Sequence, residues 1–128
     1  DKQKKLDLEL QRKIFITNFR QNHLHNIQIR LEEVIDCKDE NRVESAYKTK
    51  RFLTSLRLTV DKITFADSNT LKKELIDFDY LIQLLNEIIE FTKSEKPDEL
   101  RKTLINYHAM IILTQAQIQE FISKEFKD

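Results

Sequence analysis

The chain has 128 residues with 22 Lys plus Arg against 22 Asp plus Glu, no glycine and one proline. Without glycine there is no phosphate-cradling loop, dinucleotide fingerprint or standard calcium loop, because each needs backbone where a Cβ would clash. Tight hairpin turns are scarce for the same reason, and zero net charge removes the excess of Lys and Arg that a nucleic-acid binder carries.

With 40% hydrophobic and 34% charged residues the chain can bury a core, and its length suits one domain spanning residues 1–128. Four helical segments follow in order. The first is expected from about Lys2 to Cys37. A polar break over residues 37–40 then offers Asp39 as an N-cap. The second runs from about Glu40 to Phe65, with Ala46, Leu53, Leu56, Val60 and Ile63 on one face. Capping residues Asp67, Ser68, Asn69 and Thr70 predict the start of the third. Its Leu71, Leu75, Phe78, Ile82, Leu85 and Ile89 alternate steps of four and three, the strongest periodic signal in the chain. A break over residues 94–97 ends it. Pro97 suits the first turn of a fourth helix, where Asp98 and Glu99 sit at the positive end of the dipole. That helix carries Leu100, Leu104, Tyr107, Ile111, Ile118 and Ile122 and runs to the end.

Short connections make sequential helices antiparallel neighbours, so an all-α, up-down-up-down four-helix bundle is expected. Its first and fourth helices, about 54 and 45 Å long, overhang the other two.

Two helices hold more apolar surface than one bundle needs. In the first, Leu6, Leu10 and Ile14 line one side, while Leu8, Phe15 and Phe19 line another about 150° away. In the fourth, Ile105, Ala109, Ile112 and Ala116 lie off the main stripe. A second stripe asks for a second partner. The expectation is a homodimer through Leu8, Phe15 and Phe19 of the first helix, assisted by the fourth.

The residues offer little chemistry. His23 and His25 are two apart and point in opposite directions on a helix, and no two-cysteine zinc spacing exists, so neither metal nor cofactor is expected. The lone Cys37 has no internal disulfide partner. His108 sits in the most apolar part of the chain, which predicts a buried, hydrogen-bonded imidazole. Arg101 and His108 lie seven apart on one face of the fourth helix. The segment from Arg101 to His108 resembles the Arg-to-His motif of the small all-helical ribonucleases of the HEPN family, where four to six residues separate the pair. Lys102 stands where that family usually has a different polar residue. The resemblance implies ribonuclease chemistry by Arg101 and His108.

A layer about 16 Å below the tip opposite the termini collects His25, Tyr47, Arg51 and His108, with Arg30 and Arg101 nearer the tip. Such a layer suits a small anion held by charge-assisted hydrogen bonds, Arg51 supplying the planar fork. The bland alternative pairs Arg30 and Arg51 with Glu32, Glu33 or Glu44 at the surface.

The chain starts at Asp1 without a methionine, which predicts a piece of a longer protein. Together these features predict a non-catalytic extracytoplasmic sensor domain of a bacterial two-span receptor, of chemoreceptor or sensor-kinase type. It would be periplasmic, would respond to a small anion or a periplasmic partner protein, and would meet the membrane only through flanking segments. No nucleic-acid partner is expected. The alternative is a stand-alone interaction module of the immunity-protein or adaptor kind, in the cytoplasm.

Overall fold

The computed structural model describes residues 2–18, 24–63 and 76–125. Among them the fold is all-helical, with no strand and five α-helices: α1 Lys2–Asn18, α2 Leu24–Asp36, α3 Arg42–Ile63, α4 Phe78–Lys93 and α5 Pro97–Glu125. The helix count differs from the expected four because the first predicted helix is represented by two segments, α1 and α2. Residues 19–23 between them lie outside the described residues, as do Phe19 and the side chains of Leu8 and Phe15. The expected interface through those three therefore has no structural description. On α1, Leu6, Leu10 and Ile14 are each more than half exposed.

The break at residues 37–40 is where the sequence puts it, but Asp39 does a different job from the expected one. It opens a 3-10 turn, Asp39–Asn41, whose N-cap is Lys38 without a side-chain bond. The Asp39 carboxylate instead accepts from the Arg42 guanidinium. Arg42 is buried, and its remaining donors satisfy the open end of α2. Nε donates to the Val34 carbonyl at 3.1 Å, and Nη2 to those of Ile35 at 3.3 Å and Cys37 at 3.4 Å. A helix leaves its last carbonyls without partners and bears partial negative charge there. A planar, multi-donor cation answers both needs at once, which an ammonium on the same stem would do less completely.

The second expected break, with the capping run 67–70, lies outside the described residues. Residues 64–75, with Leu71 and Leu75, are outside the described set, while Ile76 and Asp77 are described and are not helical. Residues 76–77, inside the predicted third helix, are thus not helical, and α4 begins at Phe78. Asp77 is its cap: the carboxylate accepts from the Tyr80 N–H at 3.1 Å. Asp competes locally for such donors, so it favours the position just before a helix over its interior. An exposed Arg57–Asp79 pair at 2.7 Å ties α3 to the first turn of α4.

At the other end of α4 the chain reverses through a Schellman motif. The Lys96 N–H reaches back to the Phe91 carbonyl at 3.0 Å and the Glu95 N–H to that of Thr92 at 3.3 Å. This geometry requires a left-handed residue after the cap, usually glycine. In a chain without glycine, Glu95 takes it, at φ 54°. Pro97 then opens α5 with Asp98 and Glu99 in its first turn, as the sequence predicts.

One core joins α2 to α5. Ile27, Leu31 and Val34 of α2, Ala46, Leu53 and Leu56 of α3, and Tyr107, Ile111 and Ile118 of α5 are buried. The widest contribution is from α4, which buries Phe78, Leu81, Leu84, Leu85, Ile88 and Ile89. Each fully buried aliphatic side chain contributes about 1.5–3 kcal/mol relative to exposure. α3 packs on α4, α4 on α5, and α2 on both α3 and α5. The phenol of Tyr107 is fully buried, and its hydroxyl finds no partner among the described residues. Burial pushes its ionisation well above the ordinary tyrosine value.

Candidate functional site

Helices α2 and α3 form an antiparallel hairpin about the 37–41 turn, so residues equally distant from that turn face one another. Arg30 lies nine residues before the centre of the turn and Arg51 twelve after it, so Arg30 is about 4.5 Å nearer the tip. The register is fixed by the Thr49 hydroxyl, which donates to the Arg30 carbonyl at 3.3 Å and to that of Ser45 at 2.9 Å. An open groove of about 280 Å³ lies between the helices, lined by Arg30, Lys48, Arg51, Phe52 and Ser55.

The groove is cationic. The Arg30 guanidinium lies over the Phe52 ring at 5.2 Å from its centroid, a stacking that orients the donor fork while leaving its edge available. Lys48 Nζ pairs with Glu44 at 3.3 Å. Glu32, another expected surface partner, accepts from the Gln28 amide at 3.4 Å. Neither Arg30 nor Arg51 has a carboxylate partner among the described residues. The lining contains no histidine, cysteine or carboxylate, so it supplies neither a metal ligand set nor a general base near neutrality.

Of the four side chains expected to share a layer, only Arg51 lines this groove. Tyr47 turns toward α4: its hydroxyl accepts from Lys93 Nζ at 3.1 Å, and the Lys93 and Lys50 ammoniums lie over its ring at 5.3 and 5.6 Å. His25 is exposed on α2 and His108 on α5. The exposure of His108 corrects the expectation of a buried imidazole. Leu104, Tyr107 and Ile111 set the inward face of α5, and residue 108 lies about 100° round from Tyr107. Arg101, the other half of the HEPN-like pair, is exposed on the same helix. Arg30 lies nearer the tip than Arg51, as the sequence reading has it, and the two nevertheless line one groove.

Among the described residues no group of three or more His, Cys, Asp or Glu could hold a metal ion. Among them, too, no helix is long and apolar enough to cross a membrane. Compared with family models, curated proteins and solved structures, the chain matches none.

Proposed function

We propose that this chain is a non-catalytic anion-binding helical domain that serves as the extracytoplasmic sensor of a bacterial two-span membrane receptor. The observation that carries the reading is the pair Arg30 and Arg51, donated by adjacent helices to one groove and lacking carboxylate partners among the described residues. Two guanidinium forks beside an ammonium favour a carboxylate or inorganic oxyanion, because planar paired donors match paired acceptor oxygens. The cyclic order of packing, α2 on α3, α3 on α4, α4 on α5 and α5 on α2, supports the four-helix bundle on which such sensors are built. A ligand that ties α2 to α3 would bias their relative position, and helix shifts of about 1–2 Å are the ordinary currency of such signals.

A thermal-shift series over amino acids, dicarboxylates and inorganic oxyanions tests the reading. At one hundred times its dissociation constant a ligand stabilises the fold by about 2.7 kcal/mol, a rise of several degrees for a chain of this size. Arg51→Ala and Arg30→Ala should each abolish the rise while leaving the far-UV spectrum unchanged. No response to any anion, or a response that survives both substitutions, defeats it. The exposed apolar stripe of α5 favours a second reading, a stand-alone interaction module, for which anions would leave stability unchanged.

A further inference from the structure

The strongest unexplained surface is the outer face of α5. Ile105 is 62% exposed and Ile112 57%, and Ala109 and Ala116 between and beyond them are exposed as well. Steps of four, three and four keep the four positions within about 60° of arc over about 17 Å, an a/d seam rather than scattered apolar residues. The core stripe of the same helix, Tyr107, Ile111 and Ile118, is separate and already covered by α2 and α4.

The order of side-chain sizes along the seam says what fits it. Its sequence is large, small, large, small. A parallel second helix would set isoleucine on isoleucine and alanine on alanine, so the two axes would need a different separation at each layer. It would also leave Lys102 of one copy about 27 Å along the helix from Glu120 of the other. An antiparallel copy related by a two-fold axis level with the Met110–Ile111 peptide does the reverse. Ile105 of one copy then meets Ala116 of the other, and Ala109 meets Ile112, so each layer holds one large and one small side chain. The same axis sets exposed Lys102 of one copy within about 1.5 Å, along the helix, of exposed Glu120 of the other, on the same side of the seam. Size order and charge order are independent properties of the sequence, and one axis satisfies both.

We infer that α5 pairs with α5 of a second copy of this chain, antiparallel, about a two-fold axis at residues 110–111. The contact is isologous, so each symmetric element occurs twice and the Lys102–Glu120 pair closes both ends. This interface is on the fourth predicted helix rather than the first. It stands independently of the anion groove, which lies on the α2–α3 side of the molecule.

Sedimentation equilibrium across a wide protein concentration range tests it. The unmodified chain should dimerise. Ala109→Lys, at an exposed position that the core does not use, should give a folded monomer with an unchanged far-UV spectrum. Lys102→Glu alone should weaken association about tenfold by placing four carboxylates at the two ends, since like charges there repel. Lys102→Glu with Glu120→Lys should restore it, because the swapped pair has the same geometry. A chain that stays monomeric throughout overturns the inference. So does a dimer indifferent to Ala109→Lys, or a charge swap that fails to recover what the single change lost.

Discussion

Replacing Glu95 by glycine should make the protein more stable. Glu95 is exposed, sits at φ 54°, and makes the two-bond reversal that ends α4. An L-residue with a full side chain costs about 1–2 kcal/mol in that region, because Cβ crowds the following carbonyl. Glycine removes the crowding but gives the unfolded chain more freedom, worth about 0.5–1 kcal/mol in the other direction. A carboxylate beside the negative end of the helix is also unfavourable by a few tenths of a kcal/mol, and its loss adds to the gain. The net expectation for Glu95→Gly is about 1 kcal/mol of added stability, read as a higher urea midpoint with an unchanged slope. Glu95→Ala separates the two contributions: it removes the charge and keeps the Cβ, so it should gain no more than a few tenths. If Glu95→Gly destabilises the fold, or Glu95→Ala gains as much as glycine does, the strain argument is refuted.

Arg42→Met should cost about 2–4 kcal/mol in urea unfolding, because three carbonyls at the end of α2 and the Asp39 carboxylate lose their donor, and Arg42→Lys should recover only part of that. Tyr107→Phe should stabilise the protein by about 1 kcal/mol near neutrality by removing a buried hydroxyl that has no partner among the described residues. Above pH 10 the gap should widen by up to about 1.4 kcal/mol per pH unit, since the unfolded phenol ionises while the raised folded value keeps the buried one protonated. A constant difference between the two proteins from pH 8 to 11 would refute that linkage. Asp77→Ala should cost about 1 kcal/mol through loss of the Tyr80 cap, measured by thermal unfolding.

Periodicity made the buried faces of α3, α4 and α5 legible, because Ala46, Leu53, Leu85, Ile89, Tyr107 and Ile111 repeat at the helical spacing regardless of what packs against them. The same signal concealed the non-helical Ile76 and Asp77. Leu75 to Phe78 keeps the helical phase, so an apolar count runs straight across a cap. The burial of Arg42 was invisible for a different reason: a cation enters a helix–helix corner only when carbonyls from another helix await it, and that is a tertiary fact. His108 shows the limit of composition. A locally apolar run suggests burial, yet direction on the helix decides, and its direction is outward. Of the expected layer Arg51 alone lines the α2–α3 groove, whereas Tyr47, His25 and His108 were joined to it by depth alone, and depth does not fix azimuth.

The Val34 carbonyl that accepts from Arg42 also accepts from the Cys37 thiol, at 3.5 Å. Cys37 is half-buried and is the only cysteine of the chain. The molecule therefore carries a single built-in chemical reporter at the junction of α2 and α3. With a thiol-reactive probe dilute enough that closing outpaces labelling, alkylation of Cys37 scales with the open fraction of the corner, so its rate measures the local opening equilibrium. Loosening the corner from the Arg42 side should register there as faster labelling, at denaturant concentrations too low to disturb the helical signal of the rest of the protein.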